Sequence, residues 1–123
     1  VHDLSRSHAD PASRIDITAE TSIADAAARI GAEGPVDLVF VATGILHKDD
    51  KGPEKSIRDL SLDWLVRNFA INAAGPALIA KHFLPLLRRK GHPTFAALSA
   101  RVGSIGDNRL GGWYAYRASK AAL

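Results

Sequence analysis

The sequence predicts a single α/β domain over residues 1–123, with a parallel sheet of three or four strands and helices on both faces. The strongest strand signal is Val36–Thr43, a nearly continuous apolar run between Gly34-Pro35 and Gly44. Such a run without alternation is typical of a strand buried on both faces, as in a parallel sheet covered by helices. A second run, Thr94–Ala100, follows a long helical segment. Strands that alternate with helices indicate parallel connections.

The first part of the chain is expected to add a strand and a helix. Val1–Ser7 has the pattern of a strand end that runs into a polar loop. Arg14–Thr18 alternates polar and apolar residues over a β-branched run, which favours a strand. A helix is expected to begin at Ser22, paired with Asp25 in a capping box, and to end at Gly31.

The longest helix is expected to begin after Ser61, which can cap it, and to end at Gly91. Its basic last turn, residues 88–90, complements the helix dipole. Asn72 and the Gly75-Pro76 pair lie within it, and a proline removes one backbone hydrogen bond. The sequence therefore predicts a kink near residues 72–76.

Composition limits the classes of function. The chain has 123 residues, 46% hydrophobic and 24% charged, which suits one globular domain. Its net charge of +3 is too small to indicate a nucleic-acid partner. It has no cysteine, which excludes disulfides and thiolate metal sites and is compatible with the cytoplasm. No apolar run approaches the roughly 20 residues of a membrane span. His47 lies in a charged loop over residues 47–58 and has no partner at the spacing that metal ligands need.

The residues that carry chemistry lie in the last stretch, Gly111–Leu123. Tyr116 and Lys120 are four positions apart in a strongly helix-forming segment, so a helix places both side chains on one face. A neighbouring cation favours the phenolate, which suits the pair for proton transfer. Tyr114 has Ala118 at the same spacing and so lacks such a partner. The alternative is an ordinary helix start with a solvated lysine.

Wider motifs favour the first interpretation. Tyr-Arg-Ala-Ser-Lys followed by Ala-Ala-Leu, with VDLVFVATG and NFAINAAGPALIAKHFLPLL upstream, closely resembles the short-chain dehydrogenase/reductase family. The resemblance covers essentially the whole chain and is strongest to the C-factor-like and carbonyl-reductase-like branch. It implies a partial Rossmann-type domain that transfers a hydride between NADP(H) and a carbonyl or alcohol substrate. It also implies a homo-dimer or homo-tetramer.

The resemblance assigns catalytic roles. It implies that Tyr116 gives its proton to the carbonyl oxygen and that Lys120 assists it and binds the nicotinamide ribose. Tyr116 is also expected among the residues that contact the cofactor. Asn72 is expected at the kink, where a freed backbone carbonyl holds a water that relays protons to the lysine. The serine that binds the carbonyl oxygen is displaced, because the family pattern puts Ala100 at its usual position. The candidates to replace it are Ser104, slightly favoured, and Ser99.

The resemblance also places the cofactor. Ser5-Arg6-Ser7 stands where the adenosine ribose is bound, and a guanidinium beside hydroxyls suits a 2′-phosphate. The expected cofactor is therefore NADP(H) rather than NAD(H). Asp16 is expected to meet the adenine amino group, with Ile17 lining the ring.

Two departures from the family pattern qualify this interpretation. Ala42-Thr43-Gly44, expected beside the nicotinamide, stands where the family usually has Asn-Ala-Gly, and the family's glycine-rich pyrophosphate loop is absent. The absence of methionine and the uncapped helical end at Leu123 also favour the hypothesis that this chain is the central piece of a longer reductase. Such a piece is expected to be weakly active or inactive by itself. The alternative is a truncated, non-catalytic binding or assembly module that pairs through the helix expected over residues 61–90 and the C-terminal helix.

Overall fold

The computed structural model describes residues 1–47 and 52–123, so part of the expected charged loop lies outside the described residues. These residues form two compact units. Unit 1 comprises Val1–Val41 and Ala77–Ala97, and unit 2 comprises Ala42–Pro76 and Leu98–Leu123. The single domain expected over residues 1–123 stays a prediction.

Unit 1 contains a parallel two-stranded sheet. Strand β1, Leu38–Val41, pairs with β2, Thr94–Ala97, in a register that sets Leu38 opposite Thr94 and Val41 opposite Ala97. Single bridges join Ser5 to Arg14 and Val36 to Leu87. The α/β class and the parallel pairing are confirmed, but the described sheet has two strands rather than three or four.

The strand expected at Arg14–Thr18 is wrong. Only Arg14 forms a bridge. The Ile15 N–H still donates to the Ser5 carbonyl at 3.2 Å, but the backbone N–H groups of Asp16 and Thr18 bond to side chains. The Asp16 N–H donates to Ser22 Oγ, and Thr18 donates through its N–H and its hydroxyl to Asp16 Oδ1. Such local side-chain bonds offer the backbone an alternative to sheet pairing. The strand end expected at Val1–Ser7 is likewise reduced to the bridge at Ser5.

The expectation that the first apolar run is buried on both faces is also wrong. Leu38 and Phe40 are 59% and 56% exposed, whereas Val41 is buried. Alternate residues of a strand point to opposite faces. Within unit 1, no described element covers the face of Leu38 and Phe40.

Helix α1, Glu20–Glu33, supplies the largest share of the apolar core of unit 1. Its buried residues follow one helical face and are Ile23, Ala26, Ala27 and Ile30. It begins before the expected Ser22, and its N-cap residue, Ala19, has no side chain that could cap it. The Ser22 hydroxyl accepts the Asp16 N–H instead. The helix also continues past Gly31, where a Cβ would lie 2.9 Å from Leu86 Cδ2, and ends at Gly34 with φ of 130°.

Where the sequence predicts a kink, the long helix contains a π-helical turn. Helix α2, Leu62–Phe69, is capped by Ser61, and the π turn Ala70–Ala74 leads into helix α3, Gly75–Phe83. A 3₁₀ turn, Leu84–Leu86, then closes the helical segment. The expected end near Gly91 is wrong, because Pro85 has no N–H and its ring clashes with a continuing helix.

Helix α4, Tyr114–Ala122, belongs to unit 2 and packs against α2 and the π turn. Its buried residues are Ala115, Ser119 and Lys120. Helix α2, which α4 contacts, contributes the buried residues Trp64 and Asn68. The core of unit 2 is thus partly polar, and it contains two polar residues that were not predicted as site residues, Asn68 of α2 and Ser119 of α4.

None of the helices in residues 1–47 and 52–123 has the length and apolarity needed to cross a bilayer. Over the same ranges, no three His, Cys, Asp or Glu side chains are grouped so as to hold a metal ion.

Candidate active site

The site is organised on helix α4, which carries Tyr116 in its first turn and Lys120 one turn later. The chain enters this helix through three consecutive residues with positive φ: Gly111 at 64°, Gly112 at 65° and Trp113 at 55°. Two glycines there avoid the steric penalty of a Cβ in the left-handed region. The first backbone bond of the helix joins the Arg117 N–H to the Trp113 carbonyl at 2.8 Å.

Lys120 is a buried amine. The residue is 6% exposed, and its Nζ donates to the Leu98 carbonyl oxygen at 2.8 Å. Burial lowers the pKa of Lys120 from its ordinary value, because removal from water penalises the charged form. The chain therefore holds at this position an ammonium that gives up its proton more readily than a surface lysine.

Asn72 joins the π turn to the loop that follows Gly44. The Asn72 side chain is fully buried, and its Oδ1 accepts from the Ile45 N–H at 2.8 Å. Its Nδ2 donates to the Ile45 carbonyl and to Ser119 Oγ, each at 3.0 Å. One amide thus ties the loop, the π turn and α4 together, and π turns occur frequently at functional sites.

Asn68 and Ser119 extend this network and were not predicted as site residues. Asn68 Oδ1 accepts from Asn72 Nδ2 at 3.3 Å, and Asn68 Nδ2 donates to the Trp64 carbonyl at 3.0 Å. Ser119 donates to the Tyr116 carbonyl at 2.9 Å. The sequence held a signal for Asn68, since it stands one turn before Asn72 and so shares its helix face.

Gly44 lies against two of these groups. A Cβ at Gly44 would be 3.4 Å from Asn72 Oδ1 and 3.5 Å from Lys120 Nζ. The structure therefore brings together Gly44, Asn72 and Lys120, three of the predicted site residues. The two residues before Gly44, Ala42 and Thr43, are exposed.

The two candidate serines have different surroundings. Ser99 Oγ donates to the Lys120 backbone carbonyl at 3.3 Å, so its hydroxyl is engaged with α4. Ser104 is exposed and ends the 3₁₀ turn Arg101–Gly103, which begins after Ala100. In the described residues neither hydroxyl is hydrogen-bonded to Tyr116, and the choice between them stays a prediction.

Gly103 allows the loop that contains these serines to approach α4. A Cβ at this position would lie 2.8 Å from Lys120 Cβ and 2.9 Å from its backbone carbonyl carbon. We expect Gly103→Ala to push the loop and helix apart and to lower the free energy of unfolding by roughly 1–3 kcal/mol. Urea unfolding followed by circular dichroism measures this loss.

Gly106→Ala is the matched control, because a Cβ at Gly106 would meet nothing within 4 Å. We expect this variant to unfold at the urea concentration of the wild type. Equal midpoints for the two variants would show that the contact between Gly103 and Lys120 does not constrain the helix.

The predicted adenosine residues lie in unit 1. Arg6 is exposed in a turn after Ser5, whose carbonyl accepts from the Ile15 N–H at 3.2 Å. Hydrogen bonds from the Thr18 hydroxyl and N–H, with the nearby charge of Arg6, lower the pKa of Asp16. Arg6 and Asp16 are thus close, whereas Ile17 is buried and presents little surface.

A cavity of about 320 Å³ adjoins the start of α4. It is lined by Glu54, Lys55, Val102, Leu110, Gly111, Gly112, Trp113 and Arg117. The Trp113 ring meets the Tyr116 ring edge to face, with centroids 6.4 Å apart. This size lies at the lower end of the range of small-molecule pockets. No motif or spacing in the sequence singled out Glu54.

Comparisons with known proteins agree with the fold. A family model described as enoyl-(acyl carrier protein) reductase matches residues 1–123. A short-chain dehydrogenase/reductase from Burkholderia multivorans, solved with bound NADP, is 34% identical with a TM-score of 0.77. The match covers 89% of this chain and 45% of that one. This likeness confirms the partial Rossmann-type fold expected from the sequence.

Two curated relatives are also similar. The 1-hydroxy-2-glutathionyl-2-methyl-3-butene dehydrogenase of Rhodococcus sp. (strain AD45) is 36% identical over 109 residues, which cover 88% of this chain and 45% of that protein. C-signal of Myxococcus xanthus is 38% identical over 90 residues, 73% of this chain and 51% of that protein. The chain spans about half the length of these relatives. Matched over its whole length by the family model and similar to these proteins, it belongs to the short-chain dehydrogenase/reductase family of oxidoreductases.

Proposed function

We propose that the protein containing this chain is an NADP(H)-dependent oxidoreductase that reduces a carbonyl compound or oxidises the corresponding alcohol. The observation that supports this most is the placement of Lys120. Its buried amine lies beside Gly44 and Asn72, one helical turn after Tyr116. A phenol and an amine of lowered pKa on one helix face suit proton transfer to or from a substrate oxygen.

The residues present fit NADP(H). Gly44 has no Cβ and leaves room beside Lys120 Nζ, and Arg6 offers an exposed cation for a phosphate. We propose that Ser5 and Arg6 bind the 2′-phosphate and that Lys120 binds the nicotinamide ribose. The remaining cofactor contacts are proposed at Asp16, Ile17, Ala42, Thr43 and Gly44. The bound cofactor supplies the hydride, and a relative of this chain has been solved with NADP.

The protein's own contribution is a proton and its placement. In reduction, Tyr116 donates its hydroxyl proton to the carbonyl oxygen, and Lys120 stabilises the phenolate that is left. Asn72 keeps the loop at Ile45 fixed to the π turn, where we place the water that relays protons to Lys120. Ser104 or Ser99 donates a hydrogen bond to the substrate oxygen.

The full-length protein tests this proposal directly. NADPH titration followed by nicotinamide fluorescence measures cofactor binding, and loss of NADPH absorbance with a panel of aldehydes and ketones measures turnover. We expect saturable binding of NADPH and turnover of at least one carbonyl class. A folded full-length protein that binds neither NADPH nor NADH would exclude the proposed activity.

Arg6→Ala tests the cofactor preference. Removing a charge-assisted bond to a phosphate forfeits about 1.5–3 kcal/mol, so we expect the Kd for NADPH to rise roughly 10–100-fold. The Kd for NADH is expected to change little, because NADH has no 2′-phosphate. Isothermal titration calorimetry with both cofactors measures the two values.

Arg89→Ala is the control for Arg6→Ala, since Arg89 is also exposed and its loss changes the net charge equally. We expect it to leave both Kd values within about twofold, because exposed charges are screened by salt. If Arg6→Ala weakens NADPH and NADH equally, Arg6 does not select the phosphate.

A second candidate function is assembly. Leu62, Val66 and Phe69 of α2 are 74%, 58% and 38% exposed and follow one helical face. We propose that this face pairs copies of the protein into a homo-dimer or homo-tetramer. A non-catalytic assembly module is the alternative to the enzyme, and a stable oligomer in light scattering without any dinucleotide binding would favour it.

A further inference from the structure

Helix α4 has no side-chain cap of its own. Its N-cap residue, Trp113, makes no side-chain hydrogen bond to the first turn. The first backbone N–H groups of any helix lack intrahelical acceptors and need partners from elsewhere. Tyr116 is the third residue of this helix, so whatever fixes its first turn also fixes the tyrosine.

Glu54 supplies the missing acceptors. Its backbone carbonyl accepts from the Trp113 N–H at 2.6 Å, and its Oε2 accepts from the Ala115 N–H at 3.3 Å. The residue is 4% exposed. A carboxylate at this end of a helix also interacts favourably with the helix dipole. A residue 61 positions away in the chain therefore caps the helix that carries Tyr116.

Gly112 gives independent support for this contact. It has φ of 65°, and a Cβ there would lie 3.1 Å from the Glu54 carbonyl oxygen and 4.0 Å from Lys55 Cα. The two backbone segments are therefore in direct contact at a position that favours glycine. The backbone that leads into α4 therefore packs closely against the segment at Glu54.

The second carboxylate oxygen of Glu54 argues against a purely stabilising role for this residue. Glu54 Oε1 is buried and has no hydrogen-bond partner within residues 1–47 and 52–123. Burying an unsatisfied polar atom is unfavourable, and an apolar side chain would avoid that cost. An apolar side chain at position 54 would, however, leave the Ala115 N–H without its acceptor.

We propose that Glu54 is a positioning residue, which caps α4 and thereby holds Tyr116 in the orientation needed for proton transfer. Its catalytic consequence rests on the proposed function. Misplacing a reacting group by about 1 Å is enough to slow a reaction roughly 100-fold.

Glu54→Ala and Glu54→Gln in the full-length protein test this. We expect Glu54→Ala to lower kcat about 10–100-fold, with KM and the Kd for NADPH within about threefold. Glu54→Gln is expected to keep kcat within about threefold, because the amide oxygen still accepts from the Ala115 N–H. A general loss of structure would not confine the effect to kcat or be rescued by glutamine. Should Glu54→Ala not fold, Glu54→Leu fills the same buried space and takes its place.

Asp59→Ala is the matched control. Asp59 caps a neighbouring 3₁₀ turn, Ile57–Asp59, by accepting from the Ser56 N–H at 3.0 Å, and it is exposed. The Asp59→Ala variant removes a carboxylate cap from the same connecting segment but leaves the cap of α4 in place. We expect its kcat to equal that of the wild type.

A second measurement is independent of turnover. In protein labelled with 3-fluorotyrosine, the fluorine resonance of Tyr116, assigned with Tyr116→Phe, reports the surroundings of its ring. We expect Glu54→Ala to shift or broaden this resonance, and Glu54→Gln and Asp59→Ala to leave it unchanged. If the wild type reduces no carbonyl compound, the proposed function fails while this resonance still decides the role of Glu54. An unchanged resonance in Glu54→Ala, or equal damage by alanine and glutamine, overturns the proposal.

Discussion

Tyr116→Phe is expected to lower kcat for NADPH-dependent carbonyl reduction by about 100–10,000-fold, the range typical of general acid catalysis. Phenylalanine keeps the ring and its edge-to-face contact with Trp113, and it removes only the hydroxyl. The variant is therefore expected to fold and to bind NADPH with a Kd within about threefold of the wild type. Steady-state kinetics with a fixed carbonyl substrate, together with NADPH titration, measures both quantities.

Tyr114→Phe is the control for this prediction. Tyr114 lies in the same first turn of α4 and also carries a hydroxyl, but the residue one turn later is Ala118 rather than Lys120. We expect its kcat to stay within about threefold of the wild type. If both variants lose activity equally, the loss reflects damage to the helix start; if Tyr116→Phe retains full activity, another group donates the proton.

Local patterns predicted most of what the structure shows near Tyr116. The helix that carries Tyr116 and Lys120 follows from a strongly helix-forming segment, and the π turn lies where Asn72 and Gly75-Pro76 indicated a kink. The parallel pairing of two apolar runs was also predictable. These features depend on residues within a few positions of each other, where periodicity and propensity are informative.

Contacts between distant residues were not predictable in the same way. Asn72 and Ser119 are 47 positions apart, and Glu54 and Ala115 are 61 apart. No spacing rule connects such residues, because their contact arises only when α2, the π turn and α4 pack together. Glu54 and Ser119 were therefore missed, although each bonds directly to an element of the site. Asn68 was also missed, although its spacing of four from Asn72 carried a local signal.

Two wrong expectations have local physical causes. The alternation in Arg14–Thr18 resembles a strand, but Asp16 and Ser22 are residues whose side chains bond to nearby backbone and compete with sheet pairing. The long helix was extended too far because the apolar period continues to Leu87. Pro85 nevertheless ends it in a 3₁₀ turn. The hydrogen bonds of polar side chains and one proline thus determined the backbone conformation where the apolar periodicity was ambiguous.

Asn72→Ala is expected to have the largest effect on stability, lowering the free energy of unfolding of unit 2 by roughly 2–4 kcal/mol. The variant leaves the N–H and carbonyl of Ile45 without their side-chain partner and removes a bond to Ser119. Each buried group left unsatisfied contributes about 1–3 kcal/mol, and relaxation of the loop recovers part of the total. Urea unfolding followed by tryptophan fluorescence measures the loss, since Trp64 is buried in α2 beside this network.

Asn108→Ala separates this network effect from the loss of any asparagine. The Asn108 side chain is exposed and accepts one bond, from the Gly111 N–H at 3.2 Å, so we expect a loss below about 1 kcal/mol. If Asn72→Ala unfolds like Asn108→Ala, the buried amides do not hold unit 2 together, and Lys120 must be kept in place by its own burial and its bond to Leu98.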